Sequence, residues 1–375
     1  MKTPDGQARI TSPVHRDYPA TAGSGKNSLL WTLLIILLLV RLLTMGLFPI
    51  MDTTEARYAD ISRLMLESGD WLVPQFQDGV PFWGKPPLFA WLTAGSFSLL
   101  GVSEFSARLM HFVLALATLW LLIRAGRREL SSGRRLMAAV ILLSTPLFFV
   151  VSGTVMTESG LVFSTTLSMA GFWLYTTEHD RKWGLVFFAG LGLGMLAKGP
   201  IAVVMTLLPI ALWVLSGRHW QKLSGLPWTG GITLALLISV PWYLMAEQQS
   251  PGFLEYFLIG EHFLRFVQPV WQGDLYGNAH QQPPGMIWIL WFQATAPWGI
   301  VLVLVAGRYA LTQIRNGTWS WPQISAWQAY LAWWVLAPLL FFTFSVNILW
   351  TYVLSGMPAF ALLLASHPQQ DEPGL

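Results

Sequence analysis

The sequence predicts an all-α polytopic membrane protein. Hydrophobic residues make up 54% of its 375 positions, whereas only 11% are charged. The mean hydropathy is +0.52, and long apolar runs recur along most of the chain. The 21 tryptophans are of a type that is enriched where a bilayer meets water. Together these observations favour a bundle of helices that cross a membrane repeatedly.

The apolar runs predict about ten transmembrane helices, at ~20 residues for each crossing. They cover residues 29–50, 105–123, 137–151, 159–175, 184–197, 201–215, 230–245, 285–305, 327–344 and 352–365. A further run, 88–100, is short for a span. The run that begins at Leu29 is too long for a signal peptide, and no small-residue cleavage pattern follows it. We therefore interpret it as a retained span.

Loop charges decide whether the short run at 88–100 crosses the membrane. Basic residues cluster in the N-terminal tail and in four loops, with five arginines between residues 124 and 135. Cytoplasmic loops carry an excess of Lys and Arg, and all these clusters fall on one side only if 88–100 does not cross. We therefore expect 88–100 to be a juxtamembrane or re-entrant helix. Both termini are then cytoplasmic.

This topology divides the chain into one membrane domain and two tails. Residues 1–28 are polar and rich in Gly, Pro and Ser, which predicts a disordered cytoplasmic tail. Residues 29–366 form the transmembrane domain, in which residues 51–105 are the first periplasmic loop. Residues 367–375 form a second cytoplasmic tail.

The first outer loop is predicted to begin with an amphipathic helix. Tyr58, Ile61 and Met65 recur at helical spacing, with charged residues on the opposite face. Asp52 or Thr53 suits the N-cap of this helix, Glu55 suits a capping box and Gly69 suits its end. We expect the helix to lie in the membrane interface.

Titratable residues gather on the non-cytoplasmic face of the predicted topology. They are Asp52, Lys85, Glu104, Glu158, Lys198, Glu261, His262, Arg265 and Tyr352. Such a one-sided set is what an extracytoplasmic active site contains. Helix ends are also where charges near a membrane cost least, so part of the pattern has an ordinary explanation.

The sequence allows two interpretations of each candidate residue. Asp52 is either a helix cap or a carboxylate that orients or deprotonates an attacking group, and Glu158 has the same two roles. Lys85 and Lys198 lie beside Pro or Gly turns, where lysines snorkel to headgroups or bind a phosphate. His262 follows Glu261, but no second histidine stands at ligand spacing, so no metal site is predicted.

Several classes of function find no support in the sequence. The chain has no cysteine, which excludes disulfides, Cys-ligated zinc and thiol nucleophiles. No Walker A motif appears, so ATP-driven transport is unsupported. No segment is typical of a nucleic-acid-binding module.

Taken together, the motifs resemble the bacterial polyprenyl-phosphate-sugar glycosyltransferases, which include the lipid A aminoarabinose transferases and, more distantly, the protein O-mannosyltransferases. The resemblance runs from about Leu29 to about Ala365. It rests on Asp52-x-x-Glu55-Ala-Arg57-Tyr58-Ala, Ser68-Gly69-Asp70-Trp71-Leu72-Val73-Pro74, Lys85-Pro86-Pro87-Leu88, Glu104-Phe105-x-Ala107-Arg108-Leu109, Ala197-Lys198-Gly199-Pro200, Pro241-Trp242-Tyr243 and Glu261-His262 with Arg265-Phe266.

The resemblance implies the membrane-embedded fold called GT-C, with a site on the outer face and a polyprenyl-phosphate sugar as donor. Asp52 matches the catalytic aspartate of the first loop, and Glu158 stands where a second acid is expected. The residues expected to bind substrate are Arg57, Tyr58, Lys85, Lys198, Glu261, His262, Arg265 and Tyr352. The acceptor is expected to be a lipid, similar to lipid A, or a glycan, with inversion at the anomeric carbon. The expected location is the inner membrane of a bacterium.

Three departures from the family pattern bear on these expectations. Gly84 stands where relatives often have Glu before Lys-Pro-Pro, which removes a possible metal ligand; a divalent metal stays an open alternative that Gly84 weakens. Residues 348–350 replace a usual lysine with Ile-Leu-Trp. The chain ends at Leu375, where longer members continue, so recognition of the acceptor is the least supported point. A flippase for a lipid-linked sugar and an inactive accessory subunit remain the alternatives.

Overall fold

The computed structural model describes residues 24–268, 271, 273–277, 280–317 and 324–366. The C-terminal tail predicted at 367–375, and most of the N-terminal tail, lie outside these residues. The α-helices are α1 (Ser24–Leu47), α2 (Thr53–Ser68), α3 (Leu88–Leu100), α4 (Glu104–Ala125), α5 (Ser132–Ser144), α6 (Pro146–Val151), α7 (Thr157–Glu178), α8 (Arg181–Lys198), α9 (Pro200–Gly217), α10 (Gln221–Ser224), α11 (Trp228–Gln249), α12 (Arg265–Val267), α13 (Met286–Thr295), α14 (Trp298–Arg315), α15 (Ala326–Phe342) and α16 (Met357–Ala365).

Within the described residues, three further helical segments are not α-helical. Gly126–Arg128 and Trp350–Gly356 are 3₁₀-helices, and Glu255–Leu264 is a π-helix. One small antiparallel hairpin, β1 (Gln75–Gln77) and β2 (Val80–Pro81), lies in the first outer loop. The predicted all-α class is confirmed.

Four described helices are long and apolar enough to cross a membrane. They are Asn27–Leu47, Glu104–Arg128, Pro200–Gly217 and Trp228–Gln249. The bent pair α13 and α14 is a fifth if it counts as one span. Helices α7 and α8 have 22 and 18 residues, about 33 and 27 Å at 1.5 Å per residue, but are less apolar. The count of about ten spans stays a prediction.

Prolines break two runs that the sequence predicts as continuous spans. In the run 137–151, α5 ends at Ser144 and Thr145 is extended, with ψ 139°, because a proline at 146 disfavours the helical conformation of the preceding residue. In the run 285–305, α13 and α14 meet at Pro297 with their axes bent by 104°. Proline lacks the N–H that would continue the helix. These two predicted spans are therefore wrong as single helices.

Helix α7 forms the centre of the bundle, and small residues bring α8 against it. A Cβ on Gly171 would lie 2.8 Å from the Phe187 amide nitrogen, and one on Gly190 would lie 2.7 Å from that of Ser168. The Ser168 hydroxyl donates to the Phe187 carbonyl at 2.9 Å. Small residues allow such close backbone contact between membrane helices. The two helices are thus held in a fixed relation.

The amphipathic helix of the first outer loop is confirmed as α2. Asp52 is its N-cap and Gly69, with φ 71°, ends it. Tyr58, Ile61 and Met65 are buried. They pack on the apolar face of α3, so this face of α2 is covered by protein.

Glu55 differs from its predicted role in a capping box. Its carboxylate forms a bidentate ion pair with Arg108 of α4, at 2.7 and 2.8 Å, and accepts the Val155 amide at 3.1 Å. Arg108 also donates to the carbonyls of Met45 and Phe48, both at 2.7 Å. One buried pair therefore joins the ends of α1, α2 and α4 to the segment before α7. The capping-box prediction for Glu55 is wrong because its side chain reaches away from its own helix.

We expect Glu55→Gln to destabilise the protein strongly. Glu55 and Arg108 are 4% and 5% exposed, and breaking a buried pair by neutralising one partner costs about 3–5 kcal/mol because the other charge stays buried. The melting temperature in detergent measures this. Glu67→Gln is the matched control, since Glu67 pairs with Arg63 on the exposed face of α2. Equal melting temperatures of the two variants would contradict the prediction.

We also expect α3 not to cross the membrane. Its 13 residues reach about 20 Å, short of the ~30 Å hydrocarbon core. Reporters fused after Val102 and after Gly126 should therefore lie on opposite sides, with only α4 between them. A cytoplasmic reporter at Val102 would overturn the placement of the outer loops.

Candidate active site

A buried carboxylate, Glu261, gathers two of the predicted cations. Lys85 approaches Glu261 at 2.8 Å, and the Arg265 guanidinium contacts both carboxylate oxygens at 3.0 and 3.1 Å. A second contact of Arg265 reaches Asp274 at 3.4 Å. Burial alone raises the pKa of Glu261, but Lys85 and Arg265 outweigh it and bring this pKa below the usual value. Glu261 is therefore a carboxylate at neutral pH. We call this set the Glu261 cluster.

The π-helix from Glu255 to Leu264 positions this cluster. Its wider turn brings residues five apart into register, which places the Tyr256 hydroxyl 3.4 Å from Glu261 and the His262 ring 2.8 Å from the Phe257 carbonyl. Such π-helical turns occur frequently at functional sites. The same segment carries Glu261 and His262, and Arg265 directly follows its last residue, Leu264.

A second carboxylate, Glu158, lies in the first turn of α7. Lys198, the last residue of α8, approaches it at 2.8 Å. The hydroxyls of Thr351 and Thr157 donate to it, each at 3.1 Å. The Lys198 ammonium also lies 5.4 Å from the centre of the Tyr352 ring. We call this set the Glu158 cluster.

The two clusters belong to one site. His262 connects them, because its Nε2 lies 3.2 Å from the Lys198 carbonyl oxygen. Tyr58 lies within electrostatic reach of both. Burial raises the pKa of Tyr58, as do Glu158 and Glu261, while Arg57 and Arg265 lower it. The sequence predicted that these residues share a face, and the structure brings them together.

His262 has a structural environment. Both ring nitrogens face backbone carbonyl oxygens, those of Phe257 and Lys198. Burial lowers the pKa of His262, so the ring is neutral and donates to one of them. No group of three His, Asp or Glu side chains that could hold a metal occurs in the described part of the chain.

Asp52 is the N-cap of α2. It is exposed, and its Oδ1 accepts the amides of Thr54 and Glu55 at 2.9 and 3.0 Å. The capping interpretation of Asp52 is thus confirmed. Its catalytic role stays a prediction. Arg57, one turn further on, lies over the Phe76 ring at 6.0 Å and faces the loop of Asp274 through Gly277.

Sequence reasoning missed several residues of the site. Asp274 and Tyr256 complete the surroundings of Glu261, and Thr351 supplies a hydroxyl to Glu158. Thr351 adjoins Tyr352, which the resemblance had singled out, so its position in the chain was a usable signal. Asp274 lies in a polar loop whose distance in sequence from Lys85 gave no such signal.

The Pro241-Trp242-Tyr243 motif of α11 contacts two segments that carry residues of the site. The Trp242 indole donates to the Leu72 carbonyl at 2.8 Å, and the Tyr243 hydroxyl donates to the Met195 carbonyl at 2.7 Å. These bonds fix the first outer loop and the end of α8, which carries Lys198. The motif therefore has a positioning role.

Comparison with known proteins agrees with this geometry. Residues 26–257 match the family described as dolichyl-phosphate-mannose-protein mannosyltransferase (PMT). The chain belongs to the PMT family. The match covers the part of the chain that holds Asp52, Lys85, Glu158 and Lys198.

Two curated relatives carry the same name, undecaprenyl phosphate-alpha-4-amino-4-deoxy-L-arabinose arabinosyl transferase. The one from Enterobacter sp. (strain 638) is 30% identical over 350 residues, which are 90% of this chain and 59% of the relative. The one from Aeromonas salmonicida (strain A449) is 31% identical over 345 residues, again 90% and 59%. This PMT-family chain thus spans less than two thirds of the length of the relatives it matches.

A solved structure confirms the predicted GT-C-type fold. ArnT from Cupriavidus metallidurans, bound to undecaprenyl phosphate, superposes with a TM-score of 0.76 at 22% identity, over 92% of this chain and 60% of that one. Such an identity establishes the shared architecture. It does not by itself show that this PMT-family chain binds the same ligand.

Gly84, which departs from the pattern expected from the resemblance, lies in a confined space. A Cβ at this position would lie 2.9 Å from the Phe82 ring and 3.2 Å from the Tyr276 ring. The glycine backbone therefore packs directly between two aromatic side chains. A larger residue would displace them together with the neighbouring Lys85.

The charges of the site balance when Asp52 is included. Its cations are Lys85, Lys198, Arg57 and Arg265, and its carboxylates are Asp52, Glu158, Glu261 and Asp274. Three of the cations, Lys85, Lys198 and Arg265, are held by the buried carboxylates Glu261 and Glu158. Such a local cluster of cations is suited to a ligand that carries negative charge.

Proposed function

We propose that the chain is a glycosyltransferase that moves a sugar from a polyprenyl-phosphate carrier to a lipid acceptor, similar to lipid A, or to a glycan. The observation that carries the proposal is the pair of cations, Lys85 and Arg265, held on the buried carboxylate Glu261. The names of the curated relatives, which include undecaprenyl phosphate and a sugar, support it. The site faces the periplasm from the inner membrane in this proposal.

The reaction is a displacement at the anomeric carbon. The bond between this carbon and the phosphate oxygen breaks, and a new bond forms to an acceptor oxygen on the opposite face, so the configuration inverts. The lipid phosphate leaves with the bonding electron pair. The proton of an acceptor hydroxyl passes to a carboxylate. An acceptor that is already an anion, such as a lipid phosphate, needs no base.

Lys85 and Arg265 stabilise the leaving phosphate. An ammonium has three N–H donors, and Lys85 uses two of them on Glu261 and on the Gly84 carbonyl. The third is available to a phosphate oxygen while the ion pair stays intact. Donors already in place where charge develops need no rearrangement during the reaction, which is usually the largest contribution to catalysis.

Glu158 supports the reaction through Lys198. The carboxylate is held by one ammonium and two hydroxyls, so its own oxygens are largely occupied. In this proposal Glu158 assists Asp52 in orienting or deprotonating the acceptor. It also holds Lys198 beside Tyr352. Lys198 then adds positive charge near the phosphate.

Asp52 orients or deprotonates the acceptor. Capping and catalysis do not compete, because both amide hydrogen bonds of the cap go to Oδ1 and Oδ2 is left for the acceptor. Both interpretations of the residue can therefore hold together.

The flippase alternative gains no support from Arg41, the charge in the middle of α1. Its guanidinium donates to the Val150 carbonyl at 2.6 Å and lies over the Phe149 ring at 5.5 Å. These contacts tie α1 to α6, which is a structural role. A substrate path needs ionisable groups that line a cavity.

The general test is to compare the lipids and glycans of cells with and without the gene by mass spectrometry. Loss of one sugar from a lipid or glycan, restored by the wild-type gene, supports the proposal. Accumulation of a lipid-linked sugar on the cytoplasmic side would favour the flippase. Unchanged lipids and glycans would leave only the accessory subunit.

We expect Lys85→Ala to weaken binding of undecaprenyl phosphate by at least about tenfold, since a charged hydrogen bond to phosphate is lost. Binding is measured by titration of the purified protein. The fold should survive, because Arg265 still holds Glu261. Lys85→Arg should restore binding only in part, since a planar guanidinium replaces a point charge.

The matched control for Lys85 is Lys182→Ala, an exposed lysine at the start of α8 on the opposite face. It should bind undecaprenyl phosphate as the wild type does. Wild-type binding by Lys85→Ala as well would reduce Lys85 to an anchor in the headgroup region.

We expect Asp52→Asn to keep the fold and lose about 10²–10⁴ in turnover. Asn caps a helix about as well as Asp, but its second atom is an amide nitrogen that accepts no proton. Asp52→Ser, also a good cap, should be equally inactive because its single oxygen serves the cap. Melting temperature and transfer rate are measured on both variants together. Near-normal transfer by both would make Asp52 a cap alone.

A further inference from the structure

A second cavity lies at the end of the bundle opposite the candidate active site. It has a volume of about 240 Å³ and is lined by Glu129, Trp173, Thr176, Thr177, Trp213, His219, Lys222, Ser325, Ala326 and Trp327. Glu158 begins α7, whereas Trp173 is 15 residues further on, about 22 Å at 1.5 Å per residue. Ser325 and Trp327 begin α15. The cavity therefore cannot belong to the site described above.

Two buried indoles in the wall of this cavity lack hydrogen-bond partners. Trp173 and Trp327 are 5% and 3% exposed, and their ring centres lie 4.8 Å apart. Neither Nε1 has a partner among the described residues. Buried indole N–H groups ordinarily find an acceptor. Trp213, whose ring centre lies 5.9 Å from that of Trp173, has one, because its N–H donates to the Ala326 carbonyl at 3.0 Å.

These tryptophans differ from an ordinary interfacial belt. Belt residues face lipid headgroups from the outside of a bundle, as Trp220 does with 56% exposure. Trp173 and Trp327 are instead enclosed by protein, with their N–H groups at a cavity. Each of these two N–H groups needs a hydrogen-bond acceptor.

The wall of the cavity contains one basic residue, Lys222, and one acidic residue, Glu129. Lys222 donates to the Thr176 carbonyl at 3.1 Å, which leaves two of its three N–H donors. Glu129 forms no ion pair within the described residues, and the Trp173 indole is the polar group that lies beside its carboxylate. Burial raises the pKa of Glu129, and the neighbouring indole opposes this effect. A cation in the cavity would complete its surroundings.

We propose that this cavity binds a phosphodiester that carries an ammonium group, as in a phosphoethanolamine headgroup. The phosphate oxygens accept from Lys222 and from the indoles of Trp173 and Trp327. The ammonium pairs with Glu129. The aromatic walls of the cavity provide further attraction for the cation. A cavity just below the ~300 Å³ at which pockets for drug-sized ligands begin suits a headgroup, with any acyl chains outside.

The test uses the purified full-length protein, delipidated in detergent and titrated with phosphatidylethanolamine or phosphatidylglycerol while native mass spectrometry counts bound lipid. Wild-type protein should bind phosphatidylethanolamine at least about tenfold more tightly, because only this headgroup satisfies Glu129. Glu129→Gln should remove the preference. Equal affinity of the wild-type protein for the two lipids would overturn the proposal.

The indoles are tested by the double variant Trp173→Phe, Trp327→Phe, which keeps the rings and removes both N–H groups. Loss of two hydrogen bonds to a charged acceptor should weaken the binding of phosphatidylethanolamine by at least about tenfold. Trp220→Phe is the matched control and should bind as the wild type does. Without lipid, the double variant should melt no lower than the wild type, since it removes only unpaired donors. Wild-type affinity of the double variant would refute the assignment. If the double variant does not fold, Glu129→Gln decides.

Soluble glycerophosphoethanolamine distinguishes the two sources of this headgroup. A rise in melting temperature that is lost in Glu129→Gln indicates that the headgroup alone is bound, from lipid or from solution. A rise with the lipid and none with the soluble compound assigns the site to the membrane lipid. No rise with either compound would overturn the proposal.

Discussion

The buried ion pair between Glu55 and Arg108 is the interaction on which the outer face depends. It fastens the start of α2 to α4, and through the carbonyls of Met45 and Phe48 it holds the end of α1. Its contact with the Val155 amide reaches the segment that leads into α7. Arg57 follows Glu55 by two residues and Glu158 follows Val155 by three. The same pair therefore sets the position of a cation from the first loop and of a carboxylate from the second.

The Glu261 and Glu158 clusters share one electrostatic design. Each places a carboxylate among cations and hydroxyls, so that the cations are held in position before any ligand arrives. A lone ammonium in a partly buried site would lose hydration without compensation. The carboxylates compensate for this loss, and the N–H donors that a cation does not use on its carboxylate stay available to an anion. Pairing within each cluster thus holds the phosphate-binding groups in position.

The sequence predicts the fold class, the charged face and the residues of the site better than it predicts their partners. Lys85, Lys198 and Arg265 are recognisable because charges are rare in this chain, but their pairing with Glu261 and Glu158 spans up to 176 residues. The role of Glu55 was missed for the same reason, since a local capping box and a distant ion pair use the same side chain. Pro297 marked a break that hydropathy alone does not register. The π-helix around Glu261 has no periodicity signal of its own.

The placement of polar groups follows from the cost of burying charge in a membrane. Helix α7 carries Glu158 in its first turn and Glu178 in its last, and between them it packs small and apolar residues against α8. Glu178 is held by Arg124 at 3.1 Å and by Arg127, just as Glu158 is held by Lys198. Ionised groups are tolerated at helix ends, where partners and water compensate them, and are costly at the centre. In the described part of α7 the charged residues therefore lie at the two ends, and Arg41 of α1 is a charge within a helix that is compensated by the Val150 carbonyl. The larger set of paired charges lies on the face of Glu158 and Glu261, which is why the proposed chemistry is placed there.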